Sequence, residues 1–374
     1  MGQQPLISRV IMLVDLDYFF AQCEELRNPS IKDRPVVVCV YSGRTEDSGA
    51  VSTANYIARK YGVKSGLPIF MAKKKLEGTN AVFLPVDYAL YEEISGKIMD
   101  ILKDSTDRCE QVGIDEAYLD VTQKGNGSFE EGRRLAENVK NEILRQQKLT
   151  CSIGVGPNKL VAKIAADTKK PDGLTVVTPE QVTVFLAPLP VSRLIGVGTK
   201  TRERMQALGI NTVFDLSRYD MQRLIAVFGK TSATYFHNAS LGIDEEAVQE
   251  TGEATSISRI ATLKQDSREI DFILEKTDEL CKEIEAAVAT ARMLFKTIGI
   301  IIITTDMGIH TRSETLENPT DSLETMKGTV KELLERFFSQ EESKARRVGV
   351  KISNFFKEQK NQRQFTSFIE NTKD

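Results

Sequence analysis

The amino-terminal part of the chain alternates between short apolar runs and amphipathic stretches. Residues 10–14 form a continuous apolar run, typical of a strand buried on both faces, and a helical pattern follows until Asn28-Pro29. Further strands are predicted at residues 36–41, 81–84 and 150–155, and further helices at residues 53–61, 71–76, 88–104 and 129–147. Strands separated by amphipathic helices favour an α+β unit whose sheet is covered on one side.

Acidic residues follow two of these apolar runs. Asp15 lies where the run of residues 10–14 ends, and Asp115 and Glu116 lie at the bend of a hairpin predicted from the runs 109–112 and 117–121. If these strands are neighbours in one sheet, three carboxylates meet. Adjacent carboxylates raise each other's pKa unless a cation shares them, and oxygen ligands without His or Cys suit Mg²⁺. The alternative is that these acids cap turns, which the spacing alone does not exclude.

The pattern changes twice beyond residue 180. Residues 180–240 read as short helices separated by glycines, and residues 243–254 are acidic and lack aromatic residues, as a linker would. Strands at 255–263, 297–305 and 346–355 and helices at 270–291 and 322–338 follow, with a turn region at 306–321. This β-α-β-β-α-β-like order predicts an independent small domain, and the last twenty residues read as a polar tail.

Composition narrows the class of protein. The 374 residues suffice for two to four domains, and 41% hydrophobic with 28% charged residues is typical of a globular chain. No apolar run approaches the ~18 residues of a membrane span or the core of a secretory signal. Five scattered cysteines favour reduced thiols in the cytoplasm, and two histidines argue against histidine-based metal sites. The net charge of −3 leaves any polyanion to be bound by local basic patches.

Four segments together resemble the signature segments of Y-family DNA polymerases, most closely the archaeal branch of DNA polymerase IV. They are VDLDYFFAQCEE (14–25), SGAVSTANYIARKYGVKSGLPI (48–69), GIDEAYLDVT (113–122) and GVGPNKLVAKIAADTKKPDG (154–173). The resemblance spans residues 9–355 and implies an α+β multidomain, right-hand polymerase. Nothing in the sequence demands more than a monomer, so we expect a monomer. Its implied parts are a ferredoxin-like palm (1–18 and 87–177), small fingers (19–86), a helical thumb with a helix–hairpin–helix element (178–242), a linker (243–254), a β-α-β-β-α-β little finger (255–354) and a flexible tail (355–374).

The resemblance implies a catalytic centre with two Mg²⁺ ions. Asp15, Asp115 and Glu116 would be the catalytic carboxylates and metal ligands, together with the backbone carbonyl of Leu16. Asp17 is not a ligand in this family, and we interpret it as the start of the following helix. Two positions depart from the family pattern, which commonly has Glu and Ser where this chain has Ile57 and Gly113.

The same resemblance implies residues that bind the incoming nucleotide. Phe20 matches the steric-gate position, where an aromatic ring excludes a sugar with a 2′-hydroxyl. Without the resemblance, Phe20 would be interpreted as a core residue, since aromatic residues on a helix face usually are. Lys163 is interpreted as a DNA or surface contact. The implied triphosphate ligands are Lys170 and, on one predicted helical stretch at i, i+3 and i+6, Thr53, Tyr56 and Arg59; unaided, Arg59 and Lys170 would read as ordinary surface charges.

Three further segments are candidates for binding DNA or a partner. Gly196-Val197-Gly198 resembles a helix–hairpin–helix turn that binds a DNA phosphate, the alternative being a plain glycine turn. Little-finger positions implied to contact template phosphates are Lys344, Arg346, Arg347 and Lys351, the last two on one face of a strand. The acidic linker should lower DNA affinity and processivity. The tail residues Gln362, Phe365, Phe368 and Ile369 resemble a sliding-clamp-binding box, the alternative being a disordered tail with chance phenylalanines.

The sequence thus predicts a template-directed DNA polymerase for damage bypass and repair, with low fidelity and no proofreading. Its substrates would be primer-template DNA and dNTPs, joined by two-metal nucleotidyl transfer. A nucleotidyl cyclase also uses acids on a similar sheet, but it would leave the helix–hairpin–helix element and the last domain unexplained. A non-catalytic DNA-binding scaffold would keep its function after Asp115→Ala.

Overall fold

The computed structural model describes residues 9–250, 252 and 254–357. These residues form two compact units. The first comprises the described parts of Met1–Val40 and Ala50–Gly252, and the second comprises those of Tyr41–Gly49 and Glu253–Asp374. None of the helices in these described ranges is long and apolar enough to cross a membrane.

Strands and helices alternate through most of the described chain. In chain order the strands are β1 (Ile11–Leu16), β2 (Val36–Tyr41), β3 (Gly49–Ala54), β4 (Val82–Pro85), β5 (Arg108–Gln111), β6 (Glu116–Asp120), β7 (Cys151–Gly156), β8 (Leu174–Val176), β9 (Ser256–Ser267), β10 (Met293–Thr304), β11 (Ile309–Thr320) and β12 (Ala345–Lys357). The α-helices are α1 (Phe19–Arg27), α2 (Tyr56–Lys60), α3 (Ile69–Lys75), α4 (Tyr88–Asp104), α5 (Phe129–Gln147), α6 (Lys159–Ala166), α7 (Val182–Leu186), α8 (Thr199–Ala207), α9 (Val213–Ser217), α10 (Met221–Phe228), α11 (Lys230–Ser240), α12 (Ile270–Ala291) and α13 (Leu323–Gln340). Short 3₁₀ helices occupy Pro29–Ile31, Asp167–Lys169, Pro179–Gln181 and Val191–Arg193.

A five-stranded sheet forms the centre of the first unit, in the order β5-β6-β1-β7-β8. β1 is antiparallel to both of its neighbours, β6 and β7. Because side chains alternate along a strand, Met12 and Val14 join one apolar core, with α4 and α5, while Ile11 and Leu13 join another. The prediction that β1 is buried on both faces is therefore confirmed.

The opposite face of this sheet is covered as well, so the prediction of a sheet covered on one side is wrong. α6 packs there, with Ala162 and Ala166 against the side chains of Ile11 and Leu13. Gly154 on β7 permits this close approach, since a Cβ built at that position would overlap backbone atoms of α6. In the sequence, the only indication of this close packing is the small size of Gly154 on β7 and of Ala162 and Ala166 on α6.

The segment between α1 and α4 contains a smaller, three-stranded sheet in the order β3-β2-β4. The helix predicted over residues 53–61 is in fact strand β3 followed by the short helix α2. The β-branched Val51 and Thr53 suit a strand, and the Asn55 side chain accepts the Ala58 amide hydrogen and so begins the helix one residue later, at Tyr56. The prediction that places Thr53 on this helix is therefore wrong.

Short helices follow the sheet, as predicted for residues 180–240. α8 to α11 enclose an apolar core that includes Met205, Ile210, Leu216 and Phe236. The only pairing of strand type that the described part of this region shows is an isolated bridge between Pro190 and Thr212.

The acidic segment, here residues 243–250, is part of the first unit and packs against its other elements. Lys159 Nζ lies 2.8 Å from Glu246 Oε1, and the Arg9 guanidinium donates to three of the segment's backbone carbonyls. Val248 is only 1% exposed, in the same core as β1 and α6. A polar composition predicted a linker, but these residues are held by specific contacts.

The second unit is a four-stranded antiparallel sheet, in the order β11-β10-β12-β9, with α12 and α13 packed against it. The turn region predicted for residues 306–321 is mostly strand β11. This strand pairs with β10 from Ile309 to Thr315, at the edge of the sheet. Most of its side chains are exposed, so it has no apolar alternation for a sequence pattern to detect.

Candidate active site

Three carboxylates lie where β1 meets the hairpin of β5 and β6. Asp15 and Glu116 are direct partners in the antiparallel register, and the Leu16 amide donates to the Asp115 carbonyl at 2.9 Å. Side chains of directly opposed residues lie on the same face of a sheet, about 5 Å apart at Cβ. The prediction that the end of the first strand meets the hairpin bend is confirmed.

Helix α4 supports the hairpin bend from the neighbouring layer. The buried Ser95 hydroxyl donates to the Ile114 carbonyl at 2.5 Å, directly before Asp115. At Gly113, a built Cβ would lie 3.2 Å from both Asp115 Oδ1 and Glu116 Cγ. Glycine at this position therefore leaves room for the two acids to move, where the serine common in the family would press on them.

Two lysines already pair with these acids. Lys170 Nζ lies 2.6 Å from Asp15 Oδ2 and 3.0 Å from Asp167 Oδ1. Lys163 Nζ lies 2.6 Å from Glu116 Oε2. The interpretation of Lys163 as a DNA or surface contact missed this ion pair, because α6 and the hairpin are far apart in sequence.

Burial makes ionisation of these acids costly. It raises the pKa of Asp15 to about 6, with Lys170 lowering it and Asp115 and Glu116 raising it further. Burial, followed by the charge of Glu116, also raises the pKa of Asp115. For Lys170, burial is the largest influence and lowers the pKa, but the charges and hydrogen bonds of Asp15 and Asp167 together outweigh it, so the net shift is upward. All three shifts show that the site favours added positive charge, whether as protons or as a cation.

This donor set suits a hard divalent ion. All the side-chain donors are carboxylate oxygens, and the raised pKa values of Asp15 and Asp115 mean that a cation would relieve the repulsion that these two acids experience. Across the residues that the structure describes, however, no group of three Asp, Glu, His or Cys side chains is arranged as a ready-made metal site. Two of the acids are turned to Lys163 and Lys170 instead. The residues therefore fit a hard divalent ion in the chemical type of their donor atoms.

Asp17 has a different role from the one interpreted from sequence. Helix α1 has Tyr18 as its N-cap, with no side-chain cap, so Asp17 does not begin the helix. Its carboxylate is buried and accepts hydrogen bonds from Thr150 Oγ1 (2.9 Å), Ser152 Oγ (2.8 Å) and the Asp172 amide (2.8 Å). It therefore ties β1 to β7 and to the loop after Lys170.

The candidate nucleotide-binding residues lie on several elements. Phe20 is half-buried on α1, and Thr53 lies on β3. On α2, the Arg59 guanidinium lies 4.7 Å from the centre of the Tyr56 ring, and its Nε donates to the Ala54 carbonyl at 2.8 Å. These two contacts fix the direction of the arginine side chain.

The candidate DNA-binding glycines form the turn before α8. Gly196 has φ of +81°, a conformation that favours glycine, and Gly198 directly precedes the first residue of the helix. Val197 between them is only 7% exposed and belongs to the local core. The turn follows a 3₁₀ helix rather than an α-helix.

The basic residues of the second unit lie at the start of β12. Val348, Val350 and Ile352 face the core, so Arg347 and Lys351 share the opposite face, and the register with β9 is unbroken between them. Lys344 directly precedes the strand, and Arg346 is its second residue. The tail residues Gln362, Phe365, Phe368 and Ile369 lie outside the described residues.

Family models match three parts of the chain. A model of the impB/mucB/samB family matches residues 14–167, and its C-terminal domain matches residues 254–367. A model described as DNA polymerase-iota, thumb domain, matches residues 192–244.

Known proteins are similar over nearly the whole chain. DNA polymerase IV of Nitrosopumilus maritimus is 47% identical over 97% of this chain and 100% of its own length, and that of Saccharolobus solfataricus is 40% identical over 92% and 96%. Among solved structures, the Y-family DNA polymerase chimera Dbh-Dpo4(243-245)-Dbh superposes with a TM-score of 0.87 at 37% identity, covering 93% of this chain and 100% of that one. The insertion ternary complex of Dbh DNA polymerase has a TM-score of 0.69 at 37% identity and the same coverage.

The chain therefore belongs to the Y-family DNA polymerases, in the DNA polymerase IV group, which are error-prone enzymes of translesion synthesis. The predictions of this family, of its α+β multidomain fold and of a DNA-directed DNA polymerase are confirmed. Membership also implies the use of divalent metal ions.

Proposed function

We propose that Asp15, Asp115 and Glu116, with the backbone carbonyl of Leu16, hold two Mg²⁺ ions and make this site the centre of DNA synthesis. The reaction is attack of a primer 3′-hydroxyl on the α-phosphate of a dNTP, with loss of pyrophosphate. When bound, the ions would activate the hydroxyl and neutralise the leaving group. The in-register pairing of Asp15 with Glu116, beside Asp115, carries the proposal.

Residues around these acids bind the triphosphate. Lys170 places its ammonium beside Asp15, at the strand end that the phosphates must approach. Tyr56 and Arg59 present a phenol and a guanidinium from α2, and Thr53 presents a hydroxyl from the preceding strand. Arginine and lysine provide charge-assisted hydrogen bonds to phosphate oxygens. Phe20 acts as the steric gate against ribonucleotides.

The remaining regions bind DNA and a partner. We assign the palm to residues 1–18 and 87–177, the fingers to 19–86, the thumb to 178–242, the linker to 243–254, and the little finger to 255–354. In the thumb, Gly196-Val197-Gly198 binds a DNA phosphate, and in the little finger the template backbone is contacted by Lys344, Arg346, Arg347 and Lys351. The tail at 355–374 binds a sliding clamp, which raises the effective concentration of the polymerase at DNA. The enzyme acts as a cytoplasmic monomer.

The test is primer extension by the wild type and Asp115→Ala, with DNA binding measured in parallel by fluorescence anisotropy. Loss of a metal ligand worth several kcal/mol predicts a fall in extension of about a thousandfold or more, with DNA affinity kept within about threefold. Asp120→Asn, at the far end of β6 and opposite Ile11, is the matched control and should extend primers like the wild type.

Other outcomes would favour the alternatives. Full extension by Asp115→Ala would contradict the assigned catalytic role. A cyclic nucleotide formed without primer and template would indicate a cyclase. A misinsertion frequency as low as that of a replicative polymerase would contradict the expected low fidelity.

A further inference from the structure

Phe20 is packed between two tyrosines of helix α4. Its ring is stacked on that of Tyr91, with centroids 4.2 Å apart and an angle of 13° between the planes. The Tyr88 ring packs edge-on against the Phe20 ring, with centroids 6.1 Å apart and an angle of 87° between the planes. Tyr91 is fully buried, whereas Tyr88 is 50% exposed. The half-buried Phe20 ring therefore has a buried aromatic ring against its face and a half-exposed aromatic ring at its edge.

The plane of the Tyr91 ring is itself held by polar contacts. Its hydroxyl donates to Glu24 Oε1 at 2.7 Å, and burial together with this hydrogen bond raises the pKa of Tyr91, which keeps the hydroxyl protonated as a donor. Glu24 also pairs with Arg27 at 2.5 Å, and Arg27 pairs with Asp87 at 2.9 Å. Asp87 in turn caps α4 by accepting the Leu90 amide hydrogen. These contacts form a closed circuit between α1 and α4.

The circuit includes the helix that carries Phe20. Glu24 follows Phe20 by four residues, one turn of α1, so both side chains lie on the face towards α4. Tyr91 therefore contacts α1 at three residues, through its ring at Phe19 and Phe20 and through its hydroxyl at Glu24. A phenylalanine ring without such a neighbour could change rotamer and withdraw from the nucleotide.

We propose that Tyr91 is a positioning residue for sugar selection, because its ring fixes the plane in which Phe20 meets the incoming sugar. This inference rests on the proposed role of Phe20 as steric gate. Because Tyr91 is fully buried behind Phe20, its proposed role is exerted through Phe20. Stacking of an aromatic pair corresponds to about a two- to twelvefold preference for one arrangement, which sets the size of the effect expected when the ring is lost.

The experiment measures kcat/KM for a dNTP and for the matching rNTP on the same primer-template, and takes their ratio. Tyr91→Leu removes the aromatic face, and the ratio should fall about three- to tenfold. Tyr91→Phe keeps the ring but removes the hydroxyl, so it should lower the urea midpoint of unfolding yet keep the ratio within about twofold of the wild type. Should Tyr91→Leu fail to fold, Tyr91→Met fills similar space without a ring and should give the same fall.

Leu102→Ala is the matched control for destabilisation. This fully buried residue lies on the same helix, eleven residues and about 16 Å from Tyr91 along the axis. Its truncation should destabilise the protein and leave the sugar ratio unchanged. An equal fall in the ratio for Leu102→Ala and Tyr91→Leu would show a general loss of structure and overturn the proposal.

Measurements in the Phe20→Ala background distinguish the steric-gate role of Phe20 from the positioning role of Tyr91. If Phe20→Ala leaves the sugar ratio unchanged, the steric-gate assignment fails and the inference fails with it. If Phe20→Ala lowers the ratio but Tyr91→Leu does not, only the inference fails. The inference predicts that Tyr91→Leu changes the ratio less than twofold when Phe20 is already alanine; an undiminished effect there would show that Tyr91 acts independently of the gate.

Discussion

Replacing Asp15 with asparagine should stabilise the protein without metal while abolishing primer extension. The Asp15 side chain is only 16% exposed, and burial raises its pKa from 3.8 to about 6 even with Lys170 beside it. Asparagine removes the ionisable group but keeps the shape of the side chain. The variant therefore avoids the free energy needed to ionise a buried acid at neutral pH.

The size of the effect follows from the two pKa values. Between pH 3.8 and about 6 the unfolded chain loses this proton while the folded chain retains it, so the wild type loses stability as the pH rises through this window. The difference between 3.8 and about 6 corresponds to about 3 kcal/mol at pH 7.5, and to roughly half of that at pH 5. Below pH 3.8 the difference between wild type and variant should disappear.

The assay is urea unfolding followed by circular dichroism in the presence of a chelator, at pH 7.5 and at pH 5. Equal dependence on urea in both proteins is required for the comparison. Asp17→Asn is the matched control, two residues away. Because Asp17 accepts three hydrogen bonds, its replacement should destabilise the fold by about 1–3 kcal/mol. An Asp15→Asn protein no more stable than the wild type at pH 7.5, or an advantage that does not shrink at pH 5, would show that ionised Asp15 does not destabilise the metal-free fold.

Two further predictions concern how the site and the acidic segment are held. Gly154→Ala should destabilise the protein by about 1–3 kcal/mol in the same urea assay, because the new Cβ overlaps backbone atoms of α6, whereas Gly96→Ala, in open space on α4, should stabilise it by about 0.5 kcal/mol. Lys159→Met should increase cleavage of residues 243–250 by a glutamate-specific protease, because it removes the buried ammonium group that pairs with Glu110 and Glu246. Lys97→Met is the control: Lys97 belongs to an exposed ion pair elsewhere, so its replacement should not change this cleavage. Unchanged cleavage after Lys159→Met would show that other contacts hold this segment.

Elements with strong local patterns could be predicted from the sequence to the residue. Helices α4, α5 and α12 have the predicted bounds, because each has an apolar stripe of helical period and a clear end. The meeting of Asp15 with Asp115 and Glu116 was also predictable, since it needed only two strands to be neighbours.

Features that depend on contacts distant in sequence could not be predicted. The pairing of Lys163 with Glu116, the burial of Asp17 and the packing of the acidic segment each join residues more than forty positions apart. The predicted β-α-β-β-α-β order includes β11 and is confirmed, but the position of β11 was read as a turn region because an exposed edge strand has little apolar alternation. The role of Tyr91 was only weakly indicated by the sequence, in which Tyr88 and Tyr91 are one turn apart at the start of a helix. Nothing in the sequence showed that this turn packs beside Phe20.

The most direct test of the central claim is a crystal structure of the enzyme with primer-template, a non-hydrolysable dNTP and Mn²⁺, with the metals located by their anomalous scattering. We expect two peaks coordinated by Asp15, Asp115 and Glu116, one of them also by the Leu16 carbonyl, with Lys163 and Lys170 released from the acids. Metal bound only to phosphates, with both lysines still paired to Glu116 and Asp15, would contradict the assignment.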